Sequence, residues 1–268
     1  MTGRRAARLG VMTAAVALMA SCAPRVVTPP RLDLGDLRAR YERRLVQRLE
    51  LGRGMNAGLM MWAEGRGERL PGAQGDLTMA GPDRVRLRIS SLFGTALDLG
   101  VRGDSLLAWV PVWKTGLRLG SARESLGIRE PGGLVYRVLS GNWTPPASAW
   151  DLMVRSDSLA ALSWSEEEDS LHLTLGSEGL PRRMVVARGD QAAVEVHYQA
   201  WDQGSSVAWP SQIELLERRH EVRILFKASR LRFPPLADTS RLAVRIPPHA
   251  DVLTLAELRN VLGRLGVF

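Results

Sequence analysis

The sequence predicts a mainly β protein: a large curved antiparallel sheet, in effect an incomplete β-barrel, with an N-terminal helix and an inserted helical lid. Apolar and polar residues alternate in many short runs, as in strands with one buried face. Turn residues separate these runs at hairpin distances, and most runs follow one another without a helix between them. The alternation stops between Gly120 and Pro145, where helical patterns replace it. Strands joined by hairpins form an antiparallel sheet, and a sheet of this length normally curls.

The first 21 residues have the pattern of a secretory signal peptide. Arg4, Arg5 and Arg8 precede an apolar run from Leu9 to Ala20. The run is shorter than the roughly 20 residues that a membrane-spanning helix needs. We therefore expect residues 1–21 to direct export and to be removed.

Cys22 is the only cysteine of the chain, and it follows the signal peptide directly. The segment Leu18–Cys22 resembles the lipobox of bacterial lipoproteins, in which the cysteine is lipidated and becomes the N-terminus. The alternative is an ordinary secretory signal with a chance cysteine. The proline-rich residues 22–34 then form a lipidated tether. Because no Asp follows Cys22, the expected location is the outer membrane, with the folded part facing the periplasm.

An amphipathic helix is predicted from Asp36 to Leu51. Its apolar stripe recurs every four positions and consists of Leu37, Tyr41, Leu45 and Leu49. Arginines occupy most of the positions between them. The stripe is expected to cover an apolar surface of the sheet.

The strands are predicted from period-2 alternation. In the segment Arg84–Ile89, three arginines alternate with three aliphatic residues, which places the two kinds on opposite faces. The same pattern recurs in Leu97–Val101, Leu171–Leu175, Val194–Tyr198, Val222–Phe226 and Leu242–Ile246. Each strand is therefore expected to have one polar face.

The inserted lid is predicted as two helices, Ser121 to Ile128 and Pro131 to Leu139. Ser121 and Glu124 have the spacing of a capping box, and proline suits the first position of a helix. A further amphipathic helix is predicted near the C-terminus, between Leu255 and Leu265, docked on the sheet. No linker composition divides residues 35–268, so we expect a single domain there.

The composition argues against several function classes. The net charge is +8, falls to +5 without the three signal-peptide arginines, and is scattered along the chain, which gives no basic stripe for nucleic acid. The four histidines are far apart, and Ile224 stands where a zinc-protease helix beginning at His220 would need its second histidine. No nucleophile-elbow or phosphate-loop motif occurs. We expect no enzyme activity, no metal and no cofactor.

The middle of the chain resembles a known family. The resemblance begins with the strand Val85–Ser90 and the turn Ser91–Gly94, and it continues through the strands Thr95–Val101 and Leu106–Val112 to the helix Leu134–Ser140 with Gly141 and Asn142. In this order of elements the chain resembles the LolA/LolB-like periplasmic lipoprotein carriers, and within them a family of LolB-like outer-membrane lipoproteins.

This resemblance implies a half-barrel with an apolar cavity for acyl chains. The cavity-lining residues it implies are Leu87, Ile89, Leu97, Leu99, Val101, Trp109, Leu134 and Val138. It also implies that an early turn contacts the membrane, and here that turn carries Leu92 and Phe93. The implied partners are membrane lipid through Cys22, the acyl chains of lipids or lipoproteins, and a periplasmic carrier protein. The sequence leaves open whether the barrel is hollow or filled by its tryptophans.

Two functions follow as hypotheses. In the first, the protein is a non-enzymatic outer-membrane lipoprotein that receives or inserts lipoproteins or lipids. In the second, the same scaffold serves as a structural lipoprotein of an envelope complex, and its polar strand faces and its N-terminal helix bind a protein.

Overall fold

One continuous sheet dominates the computed structural model, which describes residues 32–65, 68–69, 71–92, 94–121, 130–189, 191–204, 207–218, 221–234, 239–254 and 257. The described residues belong to one unit of the chain, Leu32–Phe268. The mainly β fold with a large open antiparallel sheet, predicted from the sequence, is confirmed.

The N-terminal helix, α1, runs from Leu34 to Leu51. It begins two residues earlier than predicted because the carboxylate of Asp33 accepts hydrogen bonds from the backbone N–H groups of Gly35 and Asp36, at 2.9 and 3.1 Å. Its predicted apolar stripe is correct for the first three turns and wrong at the last, where Arg48 is buried and Leu49 is 45% exposed.

Helix periodicity explains this difference. At 3.6 residues per turn, Leu49 lies about 120° around the helix axis from Leu37, whereas Arg48 lies only about 20° from it. A spacing of four residues therefore drifts away from the buried face. The arginine at position 48 replaces the leucine in the interior.

The strands that the structure describes number fifteen. They are β1 Met55–Gly65, β2 Glu68–Arg69, β3 Ala73–Met79, β4 Arg84–Ser91, β5 Gly94–Arg102, β6 Ser105–Val110, β7 Thr115–Leu119, β8 Met153–Ser156, β9 Leu159–Glu166, β10 Asp169–Gly176, β11 Pro181–Arg188, β12 Gln191–Asp202, β13 Trp209–Glu217, β14 Val222–Arg232 and β15 Asp251–Leu253. Single 3₁₀ turns lie at Pro111–Trp113, Ala147–Ala149 and Thr239–Leu242.

Two meanders meet at β1 in this sheet. The order is β15-β7-β6-β5-β4-β3-β1-β14-β13-β12-β11-β10-β9-β8, with β2 added to β1. All pairs are antiparallel except β15 with β7, which is parallel. Strands β3 to β7 and β14 to β8 thus extend in opposite directions from the pair β1–β14, and the sheet remains open at β15 and β8.

The second helix, α2, spans Pro131–Ser140, as predicted within one residue, with Pro131 in its first turn and Gly141 in the left-handed conformation after its end. Most of the other predicted lid helix and of the C-terminal helix lies outside the described residues. The proposed Ser121 cap has another partner at its start: the Ser121 hydroxyl donates to Asp104 Oδ2 at 2.6 Å.

The predicted strand Leu242–Ile246 is wrong. Residues 243–250 form no strand; they cross one face of the sheet as a strap. A Cβ atom at Gly100 would lie 2.7 Å from Val244 Cγ2, and one at Gly116 would lie 2.7 Å from Ile246 Cγ2. The alternation in this segment therefore reflects side chains that point onto the sheet rather than strand pairing.

Candidate functional site

The sheet has an apolar inner face that both helices cover. Residues paired directly across antiparallel strands share a face, so the register assigns each side chain. Met55, Leu77 and Met79 face inward on the first half of the sheet, and Leu173, Val196 and Ile213 do so on the second. Leu37, Tyr41 and Leu45 of α1 join the same buried cluster, as do Tyr136 and Leu139 of α2.

Aromatic hydrogen bonds hold the helices to this face. The Tyr41 hydroxyl donates to the backbone carbonyl of Trp143 at 2.5 Å. Trp143 Nε1 donates to the Tyr198 hydroxyl at 2.6 Å, and that hydroxyl donates to the carbonyl of Val138 at 3.1 Å. Burial raises the pKa of Tyr41 and of Tyr198 well above the usual value. Both phenols therefore stay neutral donors.

Arg48 is the unusual member of this interior. Its side chain is fully buried, and its Nε, Nη1 and Nη2 atoms have no hydrogen-bond partner among the described residues. Its guanidinium carbon lies 5.3 Å from the ring centre of Trp201 and 6.0 Å from that of Tyr41. Burial is the main cause that lowers the pKa of Arg48, against the attraction of the tyrosine hydroxyls. An unpaired buried guanidinium costs several kcal/mol unless an acceptor reaches it.

The inner face is closed in this conformation. A void bounded by Met55, Leu59, Leu139, Trp209 and Phe226 has a volume of about 10 Å³. That is about the volume that one water molecule requires. An acyl chain enters here only if a covering helix moves away.

Solved structures share this architecture. A LolA-superfamily protein from Nitrosomonas europaea aligns at a TM-score of 0.51 with 10% identity, over 75% of this chain and 97% of that chain. A DUF1329 family protein from Desulfovibrio piger aligns at 0.51 and 10% identity, over 77% and 99%. A putative outer membrane lipoprotein-sorting protein domain from Vibrio parahaemolyticus aligns at 0.50 and 11% identity, over 75% and 93%.

The chain has a LolA-like fold. At these identities the likeness establishes the fold alone, and it confirms the resemblance seen in the sequence. No protein-family model and no curated protein sequence matches the chain.

Five predicted cavity residues share the inner face of this LolA-like fold. Leu87 pairs with Leu99 and Ile89 with Leu97, while Val101 pairs with the buried Val85. Val85 and Leu87 pack in or against the central cluster. The predicted residues of β4 and β5 therefore form one continuous apolar surface beside the helices.

Trp109 does not belong to that surface. It pairs with Asp98, whereas the neighbouring Ala108 pairs with Leu99. Trp109 thus lies on the outer face, the face that also carries Gly100 and Gly116 beneath the strap. The period-2 pattern of Ser105–Val110 is weak because most of these residues are apolar, so the sequence could not assign the face.

The two predicted lid residues lie on α2. Leu134 and Val138 are partly buried and pack against the central cluster. They separate the sheet from the surroundings of the helix, as expected of a cover.

Leu92 is 98% exposed at the tip of the hairpin between β4 and β5. This exposure is what a membrane-contacting residue requires. Phe93 and Cys22 lie outside the described residues, so the predicted second contact and the lipidation site stay predictions.

Sequence reasoning missed Arg48, Trp143 and Tyr198, which organise the interior. The phase of α1 would have indicated Arg48, because position 48 continues the stripe of Leu37 more closely than position 49 does. Trp143 and Tyr198 are joined by a contact across 55 positions. No local pattern indicates such a pair.

Metal and membrane-span searches give two findings for the described part of the chain. No helix within it is both long enough and apolar enough to cross a bilayer. No group of three or more His, Cys, Asp or Glu side chains converges there in a way that could hold a metal ion.

Proposed function

We propose that the protein is a non-enzymatic envelope lipoprotein, anchored to the outer membrane through Cys22, that binds acyl chains of lipids or lipoproteins on the inner face of its sheet. The observation that carries this proposal is the helix-covered apolar face with a buried, unpaired Arg48 beneath the cover. The LolA-like fold and the lipoprotein-sorting description of one structural relative support it.

The energetics favour an exchange of α1 for an acyl chain. Lifting α1 exposes Leu37, Tyr41 and Leu45 together with the apolar strands beneath them. A bound chain restores about 0.8 kcal/mol for each methylene that it buries. A chain of more than ten methylenes therefore supplies apolar contact comparable to that of three large side chains.

Arg48 makes the closed state less stable than a fully satisfied interior. When α1 lifts, its guanidinium gains water or the ester or phosphate oxygen of an incoming lipid. The closed conformation is thus compact yet ready to open. The exposed Leu92 at the β4–β5 tip would direct the protein to the membrane surface.

Lipid analysis tests this proposal. The full chain with Cys22→Ser is purified without detergent from a native-like envelope, and extracted lipids are identified by mass spectrometry. The proposal predicts stoichiometric acyl lipid, which decreases in a variant with Ala57→Trp, because Ala57 is buried on the inner face. The matched control is Ala149→Trp, at a partly buried position outside the sheet. A lipid-free, fully folded protein would contradict it.

A second candidate function is assembly with an envelope protein. Val46 and Leu49 are exposed apolar residues three positions apart on α1, at 59% and 45%. Such neighbours form a small apolar patch on the outside of the helix. Crosslinking in cells separates the candidates: one stoichiometric partner favours assembly, and many lipoprotein clients favour transfer.

A further inference from the structure

The larger cavity of this protein lies on the outer face of the sheet. It is an open groove of about 440 Å³. Four arginines line it, namely Arg86, Arg88, Arg230 and Arg232. We call it the arginine groove.

Strand register explains the shape of the arginine groove. Across β4, β3, β1 and β14, one row contains Arg86, Thr78, Asn56 and Arg232. The next row contains Arg88, Asp76, Gly58 and Ser229. Long arginines therefore stand on the two outer strands, about 14 Å apart at the usual strand spacing. Short side chains between them form the floor.

A β-bulge brings Arg230 across this floor. The register between β1 and β14 shifts between Asn56 and Gly58, and Arg230 there has a φ of 52°, in the left-handed region. A Cβ atom at Gly58 would lie only 2.9 Å from Arg230 Nη2. The guanidinium thus lies where only glycine leaves room. Non-glycine residues in this conformation cluster at functional sites because the strain must be offset.

The groove carries uncompensated positive charge. Asp98 accepts a hydrogen bond from Arg86 Nε at 2.7 Å, and Arg88 Nη2 lies 3.9 Å from the same carboxylate. Arg230 and Arg232 form no ion pair with any residue that the structure describes. With Asp76 on the floor, four guanidinium groups face two carboxylates.

This arrangement selects a ligand class. Guanidinium forks bind tetrahedral phosphate oxygens in pairs, and their charge requires an anion. The floor adds hydroxyl, amide and carboxylate groups from Thr78, Asn56 and Asp76, which can hydrogen-bond to hydroxyl groups. The volume exceeds that of a bare phosphate.

We propose that the arginine groove binds the phosphate of a phosphorylated polyol, with Arg230 and Arg232 as its principal ligands. The phosphate comes either from a phospholipid headgroup or from a soluble phosphate ester. The site lies on the opposite face of the sheet from the acyl-chain site and does not depend on it.

Calorimetry of the full chain with Cys22→Ser tests this site. Titration with sn-glycerol 3-phosphate should show saturable binding, and inorganic phosphate should bind more weakly. Arg230→Gln with Arg232→Gln should weaken binding about tenfold or more, since charge-assisted hydrogen bonds are lost. Arg155→Gln, which removes one exposed charge on β8, should leave the affinity unchanged.

Arg230→Gly separates a loss of binding from a loss of folding. Glycine accepts the left-handed conformation, so this variant should unfold at an unchanged or higher temperature. It should nevertheless bind the phosphate ester less tightly. Weak binding with an unchanged melting temperature supports the site.

Vesicles identify the source of the phosphate. Flotation with phosphatidylcholine vesicles, with or without phosphatidylglycerol, is compared between the parent and Arg230→Gly. Arg230-dependent flotation assigns the site to lipid headgroups, and ester binding without flotation assigns it to soluble esters. Absence of both, or equal loss in Arg155→Gln, would overturn the proposal.

Discussion

Replacing Arg48 with methionine should stabilise the protein. The methionine keeps most of the aliphatic stem but removes a charge whose three nitrogens have no partner in the described structure. Burying an unpaired charge costs several kcal/mol, and the contacts with Trp201 and Tyr41 return only about 1–2 kcal/mol. We therefore expect Arg48→Met to raise the free energy of unfolding by about 2 kcal/mol.

Urea unfolding followed by tryptophan fluorescence measures this change. The midpoint should rise with no change in slope, and the melting temperature should rise by about 4–8 °C for a chain of this size. The control is Arg43→Met, which removes an exposed arginine from the same helix and should change stability by less than about 0.5 kcal/mol. A midpoint that falls in Arg48→Met would show that Arg48 has an acceptor and would refute this reasoning.

Four further predictions concern other parts of the molecule. Burial alone would raise the pKa of Glu195, but hydrogen bonds from Arg218, Arg183 and His197 outweigh it and lower the pKa to about 2. Its stabilisation is therefore present above about pH 4.5 and lost as the pH falls towards 2; urea midpoints of Glu195→Gln and the parent should differ by about 2 kcal/mol at pH 7 and converge at pH 2. Tyr198→Phe leaves Trp143 Nε1 buried without an acceptor, so thermal unfolding should show a loss of about 1–3 kcal/mol; no loss would mean that water replaces the hydroxyl. Gly100→Ala should displace the strap at Val244, and limited proteolysis should then cut residues 243–250 faster than in the parent; equal rates would contradict the packing. Leu92→Asp should leave the melting temperature unchanged but reduce vesicle flotation, whereas unchanged flotation would remove the membrane contact.

Sequence patterns predicted the sheet and α2 because these depend on local periodicity. Residues Leu87 and Leu99 alternate with charged or small residues, so their shared face could be inferred before their pairing was known. Trp109 could not be assigned because its neighbours are apolar on both sides. The strap at Val244 has strand-like alternation but packs on a sheet face, and alternation alone does not distinguish the two.

The arginine groove could not be predicted from the sequence for a different reason. Arg88 and Arg230 are separated by more than a hundred residues, and only the pairing of β1 with β14 and β3 brings them to one groove. The void beneath α1 was equally inaccessible, because its size depends on how Trp209 and Leu139 pack. Both quantities belong to tertiary structure.

A disulfide that pins α1 to the sheet tests the central claim most directly. A Cβ atom at Gly179, in the turn between β10 and β11, would lie 3.1 Å from Arg40 Cβ of α1, close to the spacing of a disulfide. In a Cys22→Ser background, Arg40→Cys with Gly179→Cys supplies the only two thiols. Each single cysteine variant serves as a control. Uptake of a fluorescent fatty acid should be lost when the double variant is oxidised and should return with reductant. Equal uptake in both states would contradict an acyl-chain site beneath α1.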